Sequence, residues 1–133
     1  MPSRYNIAFF VCQDGECPVQ SYIFDGANET DLLVLIGVIQ RLAHVGQLLI
    51  ETNMAKKLQG HKPICELRKG RHRIFYAYDK QLNRFVMLSA FLKSTQKTPA
   101  SEIRQAEKYW REYLVYKKVL EFDIPLDFDL AHL

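Results

Sequence analysis

The amino-acid sequence predicts an α+β fold from three observations. A strand-like run, YNIAFFVC, stands near the N-terminus, and an apolar pattern of helical spacing follows it over residues 31–53. Three β-rich runs then occupy residues 64–92, and a last helical pattern begins after Pro99. Because strands and helices come in separate blocks, in the order strand, helices, three strands, helix, they favour an α+β architecture.

The length of 133 residues suits one domain with one hydrophobic core. We therefore expect a single domain over residues 1–133, of which residues 115–133 form an acidic C-terminal extension. Hydrophobic residues make up 48% and charged residues 25% of the chain, which is typical of a globular protein. Acidic residues come too early for a signal peptide, and the most apolar stretch, residues 32–50, contains four polar side chains and two glycines. We expect a soluble cytoplasmic protein without a membrane span.

The N-terminal half contains signals for a turn, a helix start and a helix break. Asp14–Gly15 indicates a turn, and the following PVQSYIF is compatible with either a short strand or the start of a helix. Asn28 is a suitable N-cap, because Glu29 and Asp31 then place negative charge in the first helical turn. Gly46 is expected to divide the long apolar pattern into two helices.

The second half predicts an antiparallel meander of three strands. The runs are ICELRKG (64–70), HRIFYAYD (72–79) and RFVMLSAFL (84–92). Their short connections favour hairpins. Alternation then assigns the side chains to two faces. A mostly apolar set should meet the helices: Cys65, Leu67, Ile74, Tyr76, Tyr78, Val86, Leu88, Ala90 and Leu92. The other set is mixed, with cations at one end: Glu66, Arg68, Arg73, Phe75, Met87, Ser89, Phe91 and Lys93.

A helix is predicted after the meander. Pro99 suits a first helical turn, and SEIRQAEKYWREYLVYKKVL (101–120) continues from it. Ile103, Ala106 and Trp110 share one face of this helix. Its aromatic residues, expected to pack on the sheet rather than to stack on bases, are Tyr109, Trp110, Tyr113 and Tyr116.

The mild net charge of +3 conceals a basic centre. Residues 1–55 carry a net charge of −4, residues 56–104 one of +9 and residues 105–133 one of −2. A basic centre is typical of proteins that bind a polyanion, above all nucleic acid. A lysine-rich solvated surface is the alternative.

A hairpin between the first two meander strands places Arg68 directly opposite Arg73. Like charges in such a pair cost about 0.2–1 kcal/mol, and a bound anion between them removes that cost. Lys93 leaves the third strand at the same end, beside the basic segment KKLQGHK (56–62). The sequence thus predicts a phosphate site at one corner of the sheet. In the alternative, Arg68 pairs with a carboxylate, either Glu66 or one from the tail.

The three cysteines, Cys12, Cys17 and Cys65, lack paired spacing, which fits a reducing compartment. Cysteine and histidine are common metal ligands, and His61 would complete a set of four with them, but the spacing of these residues is irregular. Buried thiols are the alternative that this spacing favours. We therefore expect neither a metal nor another cofactor.

Four segments carry a resemblance to a known family. In chain order they are KKLQG, ICELRKGRHRIFYAYD, FVMLSAFLKSTQKTP and EIRQAEKYWREY, and the block KSTQKTP followed by EI and A is the most specific. In this order they resemble the RelE/HigB-like toxin superfamily, in its phage-derived HigB branch. The likeness covers about residues 5–114 and leaves the tail outside.

The resemblance implies a RelE-like fold and the toxin of a type II toxin–antitoxin pair. Such toxins are typically metal-independent endoribonucleases that enter the ribosome and cut mRNA, and their partner is usually a helix-turn-helix antitoxin. The alternative is a non-catalytic RNA- or ribosome-binding protein, such as a decayed toxin. A third alternative is a protein whose only role is to form a structural complex with an antitoxin-like regulator.

Carried over by position, the resemblance assigns candidate site residues. Arg73 and Arg68 are expected to contact the phosphate and its transition state. Lys93 and Lys97 are expected to hold the mRNA backbone or to stabilise the leaving oxygen. The further candidates for RNA contact are Lys56, Lys57, Lys62, Arg71 and His72.

Four positions depart from the family pattern. His72 stands where tyrosine is common, Ser89–Ala90 replaces a common His–Gly pair, and Ser94 replaces a lysine. Histidine is a residue type suited to proton transfer near neutral pH, while alternation directs His72 to the core side of its strand. The general acid and base therefore stay unassigned. A further hypothesis is that the acidic tail folds across the basic corner and lowers activity.

Overall fold

The computed structural model describes residues 5–122, and these form one six-stranded sheet with helical segments on both faces. The strands are β1 (Asn6–Phe10), β2 (Ala55–Lys57), β3 (Cys65–Lys69), β4 (His72–Asp79), β5 (Arg84–Leu92) and β6 (Val119–Glu121). The helices are α1 (Pro18–Gln20), a π-helix (Ser21–Gly26), α2 (Glu29–Val45), a 3₁₀ helix (Gly46–Glu51) and α3 (Ala100–Tyr116). The predicted α+β class is confirmed.

The strands follow the order β2-β3-β4-β5-β1-β6 across the sheet. The strands β3, β4 and β5 form the predicted antiparallel meander, and β1 joins β5 in parallel, so that the sheet is mixed. The sequence does not predict the edge strands β2 and β6, because three residues are too few to show an alternating pattern.

The helical connection between β1 and β2 follows the sequence signals. Pro18 opens α1, which runs into the π-helix, so that the segment PVQSYIF is helical rather than extended. The Oδ1 atom of Asn28 accepts a hydrogen bond from the N–H of Asp31 at 2.8 Å, which confirms the predicted N-cap. Gly46 ends α2 at a positive φ of 63° and begins the 3₁₀ helix, as predicted.

Both faces of the sheet are covered. The π-helix and α2 pack with α1 on one face, which we call the α2 face, where Phe9, Ile39 and Tyr76 are buried together. On the other, the α3 face, Phe75 and Tyr113 belong to a second buried cluster. The mixed set of strand residues therefore does not lie on an open face, because α3 covers much of it.

The predicted faces of the β5 side chains are wrong for the first half of the strand. A register shift in the β4–β5 pair puts Phe75 opposite Ser89 but Tyr76 opposite Met87, which leaves Leu88 as an extra residue. Such a bulge turns the side chains on one side of it to the opposite face. Val86 therefore packs on the α3 face with Leu88, and Met87 packs on the α2 face.

The helix α3 ends at Tyr116, four residues earlier than predicted, because Lys117 adopts a left-handed conformation. The predicted packing face is confirmed: Ala106 is buried, and Ile103 and Trp110 pack against the same cluster. The side chain of Tyr116 is 55% exposed, so its predicted packing on the sheet is wrong. Residues 123–133, which hold most of the predicted acidic extension, lie outside the described residues.

The stretch Glu29–Glu51 is long and apolar enough to cross a membrane by length and composition alone. Its residues Leu35, Ile39 and Leu42 are buried in the core of the α2 face. This burial is the behaviour of a core helix, as the polar residues within the stretch predicted.

Candidate functional site

Four cations lie on neighbouring positions at one corner of the sheet. The strand register puts Arg68 directly opposite Arg73, which confirms the predicted pairing. The backbone N–H of Lys93 donates to the carbonyl of Arg71 at 2.7 Å, and the Nε of Arg71 donates to the carbonyl of Lys93 at 3.1 Å. Alternation places Arg68 and Arg73 on the α3 face, and Arg71 and Lys93 lie just outside the ends of β4 and β5 beside them. We call Arg68, Arg71, Arg73 and Lys93 the basic corner.

A buried carboxylate lies between the two facing arginines. The Oε1 atom of Glu66 is 2.9 Å from the Nε of Arg73 and 3.4 Å from the Nε of Arg68, and Glu66 is 1% exposed. Neither contact has the geometry of a hydrogen bond, so the contacts are ion pairs. The bound anion expected between the arginines is therefore replaced by a carboxylate of the chain, as the alternative pairing of Arg68 with Glu66 predicted.

The two arginines differ in how firmly they are held. The Nη1 atom of Arg73 donates to the carbonyls of Gly70 at 2.8 Å and His72 at 2.9 Å, and its side chain is 14% exposed. The side chain of Arg68 is 32% exposed. Arg73 is thus fixed in one orientation by the turn that precedes it, while Arg68 is more open to solvent.

Three other predicted lysines lie outside the basic corner, on β2 and in the loop before α3. Lys56 is exposed and pairs in register with Glu66, two residues along β3 from Arg68. Lys57 pairs with Cys65 and is also exposed. Lys97 is exposed in the loop between β5 and α3, and no contact within residues 5–122 ties it to the basic corner.

His72 does not join the basic corner. Its Nδ1 lies 2.7 Å from the hydroxyl of Tyr22 in the π-helix, and its Nε2 lies 3.2 Å from Oδ2 of Asp31 in α2. Both ring nitrogens are therefore engaged on the α2 face, where the ring joins two helices to the start of β4. Burial, with the nearby charge of Asp31, raises the pKa of the Tyr22 hydroxyl. No sequence signal singled out Tyr22, and Asp31 was interpreted only as a first-turn acid.

A cleft of about 470 Å³ opens beside the loop that joins β2 to β3. It is lined by Gln47, Lys57, Leu58, Gln59, Lys62, Pro63, Ile64 and Cys65. The carboxamide of Gln47 is held in place, since its Oε1 accepts from the Tyr76 hydroxyl at 3.2 Å and its Nε2 lies 3.9 Å from the Cys65 sulfur. Sequence reasoning singled out the two lysines by their charge and gave neither Gln47 nor Gln59 a role in a site.

Cys17 and Cys65 have the environment of buried structural cysteines. Burial raises the pKa of Cys65 and of Cys17, so both thiols stay protonated near neutral pH. Within residues 5–122, no three His, Cys, Asp or Glu side chains come together in a way that holds a metal. The Nδ1 of His61, one member of the irregular set, instead lies 3.3 Å from Oε2 of Glu107.

Comparison with known families places this geometry in context. The family model described as "Phage derived protein Gp49-like (DUF891)" matches residues 24–111, well over half of the chain. No curated protein matches the chain. The matched range includes the basic corner, Glu66 and the cleft, and this family is one of RelE/HigB-like toxins associated with toxin–antitoxin systems. The chain therefore belongs to the phage-derived Gp49-like family of RelE/HigB-like toxins.

Proposed function

We propose that this chain is the toxin of a type II toxin–antitoxin system and acts as a ribosome-dependent mRNA endoribonuclease. The observation that carries the proposal is the pair of facing arginines with two further cations beside it. The family supports the toxin class and a toxin–antitoxin partner, for which a helix-turn-helix antitoxin is the candidate. The proposed location is the cytoplasm, where translating ribosomes are found.

The proposed chemistry is attack of an RNA 2′-hydroxyl on the adjacent phosphate. A bond forms between O2′ and phosphorus, and the bond from phosphorus to O5′ breaks. The products are a 2′,3′-cyclic phosphate and a free 5′-hydroxyl, with one proton lost from O2′ and one gained by O5′. Negative charge accumulates on the phosphate oxygens in the transition state, and fixed cations stabilise it without a metal.

Each cation has a role in this proposal. Arg73 contacts the phosphate in the transition state, and Arg68 assists from the neighbouring strand, because a guanidinium matches phosphate geometry. Lys93 and Lys97 hold the backbone or stabilise the leaving oxygen, and Arg71 contacts the strand beside them. His72 is left out because its ring is engaged on the α2 face.

The test is induced expression of the wild-type chain and of Arg73→Ala in bacterial cells. Lys80→Ala is the matched control, since Lys80 is exposed in the turn between β4 and β5. We expect wild type and control to arrest growth and to generate messages with new 5′-hydroxyl ends. In Arg73→Ala, we expect at least about a hundredfold loss of cleavage, the typical cost of removing one transition-state contact, with ribosome association falling only modestly.

Folding has to be separated from chemistry in this test. Circular dichroism of the purified variants establishes that they fold, and Arg73→Lys is the second variant because it keeps a positive charge facing Glu66 but lacks the guanidinium group. If cells that express the wild-type chain keep growing and their mRNA is not cleaved, the proposal is wrong.

A non-catalytic RNA- or ribosome-binding protein is the second candidate. The observation that favours it is Glu66, whose buried charge offsets part of the charge of the two arginines. Under this function the wild-type chain co-sediments with ribosomes while messages stay uncut, and Arg73→Ala has no effect on message integrity.

A further inference from the structure

The edge strand β2 connects the basic corner to the cleft. Lys56 is opposite Glu66 in the register, and Lys57 is opposite Cys65. Successive strand residues point to opposite faces, so that Lys56 lies on the α3 face with the arginines and Lys57 on the α2 face at the cleft. Because β2 is at the sheet edge, the two lysines provide positive charge on both sides of that edge.

The cleft has walls held in place by the backbone. Within the loop, the N–H of Leu58 donates to the carbonyl of Ile64 at 3.1 Å, and the N–H of Ile64 donates to the carbonyl of His61 at 2.9 Å. The N–H of His61 donates back to the carbonyl of Leu58 at 3.1 Å. The carboxamide of Gln47 is fixed by Tyr76 on the opposite side. Because these hydrogen bonds already order the cleft, a ligand binds without the entropy cost of ordering the loop.

The chemistry of the cleft selects an anion with a flat apolar part. Its lining includes two exposed lysines and no carboxylate. Leu58 and Pro63 provide apolar surface, and the side chains of Gln47 and Gln59 provide amide donors and acceptors. Amides of this kind bind the edges of nucleobases, while apolar surface accepts their faces. The volume of about 470 Å³ is within the usual range of small-ligand sites.

We propose that this cleft binds one nucleotide of an RNA strand that also passes through the basic corner. The base packs between Leu58 and Pro63, and Lys57 and Lys62 contact its phosphate. The inference rests on the proposed function for the identity of the strand. Arg68 in the corner is three residues along β3 from Cys65 in the cleft, about 10 Å along the strand. A run of several nucleotides of single-stranded RNA that passes around the edge at β2 connects the two sites.

The test follows backbone and side-chain amide signals of the full chain by NMR during titration with AMP, CMP, GMP, UMP and inorganic phosphate. We expect at least one nucleotide to shift the signals of Gln59, Ile64 and the Gln47 carboxamide, and to do so at lower concentration than phosphate. In Lys62→Ala we expect the affinity to fall roughly two- to fivefold, as for one exposed charge contact. The matched control Lys80→Ala should bind as wild type does.

Three outcomes would overturn the inference. If inorganic phosphate shifts the same signals at the same concentration as the nucleotides, the cleft binds anions without recognising a base. If the nucleotides shift only the signals of other residues, they bind elsewhere. A hexa-aspartate peptide that shifts these signals more strongly than every nucleotide would assign the cleft to an acidic protein partner. None of these measurements needs cleavage, so that failure here is distinguishable from a failed growth-arrest test of the proposed function.

Discussion

At the residue scale, Glu66 decides how the basic corner is charged. Its carboxylate is almost fully buried between two guanidiniums. A buried charge is costly unless it is paired, and removal of one partner leaves it uncompensated. The same arginines that suit a phosphate therefore also hold the folded state together, so that a loss of activity in an arginine variant needs a stability measurement beside it.

We expect Arg73→Ala to lower the free energy of unfolding by about 3 kcal/mol, because it removes the closer partner of a buried carboxylate. Arg68→Ala should cost about 1 kcal/mol or less, because this side chain is 32% exposed and its Nε is 3.4 Å from Glu66. Urea unfolding of both variants beside wild type provides the measurement. Equal losses in the two variants would contradict the assignment of Arg73 as the main partner.

The facing arginines could be predicted from sequence, but the choice between a bound anion and Glu66 as their partner could not. Strand alternation and a short turn were enough to place Arg68 opposite Arg73. Whether an external anion or Glu66 lies between them depends on burial and on side-chain direction, which alternation does not give. For the same reason, alternation predicted that His72 points to the core side but not that Tyr22 and Asp31 meet it there.

At the element scale, the junction between α2 and the 3₁₀ helix depends on Gly46. Its φ of 63° is in a region that side chains disfavour, and a Cβ built there would lie 2.5 Å from a ring atom of Tyr5. We expect Gly46→Ala to destabilise the protein by about 2–4 kcal/mol, because a strained backbone and a collision with an aromatic ring add together.

The matched control for this prediction is Gly60→Ala. Gly60 also has a positive φ, of 84°, but no atom lies within 4 Å of a Cβ built there. Its substitution should therefore cost only the backbone strain, about 1 kcal/mol. Thermal unfolding of the two variants measures the difference, and a Gly46 variant no less stable than the Gly60 variant would refute the collision with Tyr5.

Elements long enough to repeat the helical or strand pattern several times could be predicted from sequence. Bulges and very short strands could not. The capping residue Asn28 and the break at Gly46 have local chemical causes, so the bounds of α2 follow from sequence. The bulge between β4 and β5 has no such signal, and it reversed the predicted faces of Val86 and Leu88. The edge strand β2 is too short for a period, although its lysines were singled out by charge.

At the scale of the whole molecule, the sheet is fastened to its helices at both ends of β4. At its first residue, the ring of His72 meets the π-helix and α2. At its last residue, Asp79 accepts hydrogen bonds from Tyr113 of α3 and, at 3.1 Å, from Lys117 just beyond it. The basic corner is at the first end, so that the Asp79 network holds α3 on the sheet without taking part in the proposed chemistry.

This network makes stability depend on pH in a direction that can be worked out. Burial by itself raises the pKa of the Asp79 carboxyl, but hydrogen bonds from Tyr113, Lys117 and the N–H of Leu82 outweigh it and lower the pKa below the ordinary value of 3.8. A lowered pKa in the folded state stabilises the fold at pH values above the unfolded pKa. That contribution is lost as the pH falls through the folded pKa, so the loss belongs to the window below about pH 4.

We expect Asp79→Asn to cost about 1–3 kcal/mol at pH 7, because it removes the charge that Tyr113 and Lys117 contact. Wild-type stability should fall more steeply than that of the variant between about pH 4 and about pH 2, because the variant no longer carries a titrating group at this position. Urea midpoints measured across this range provide the comparison, with Asp25→Asn, an exposed position, as the control for loss of one carboxylate. Parallel pH profiles for wild type and Asp79→Asn would show that the carboxylate of Asp79 does not fasten α3 to the sheet.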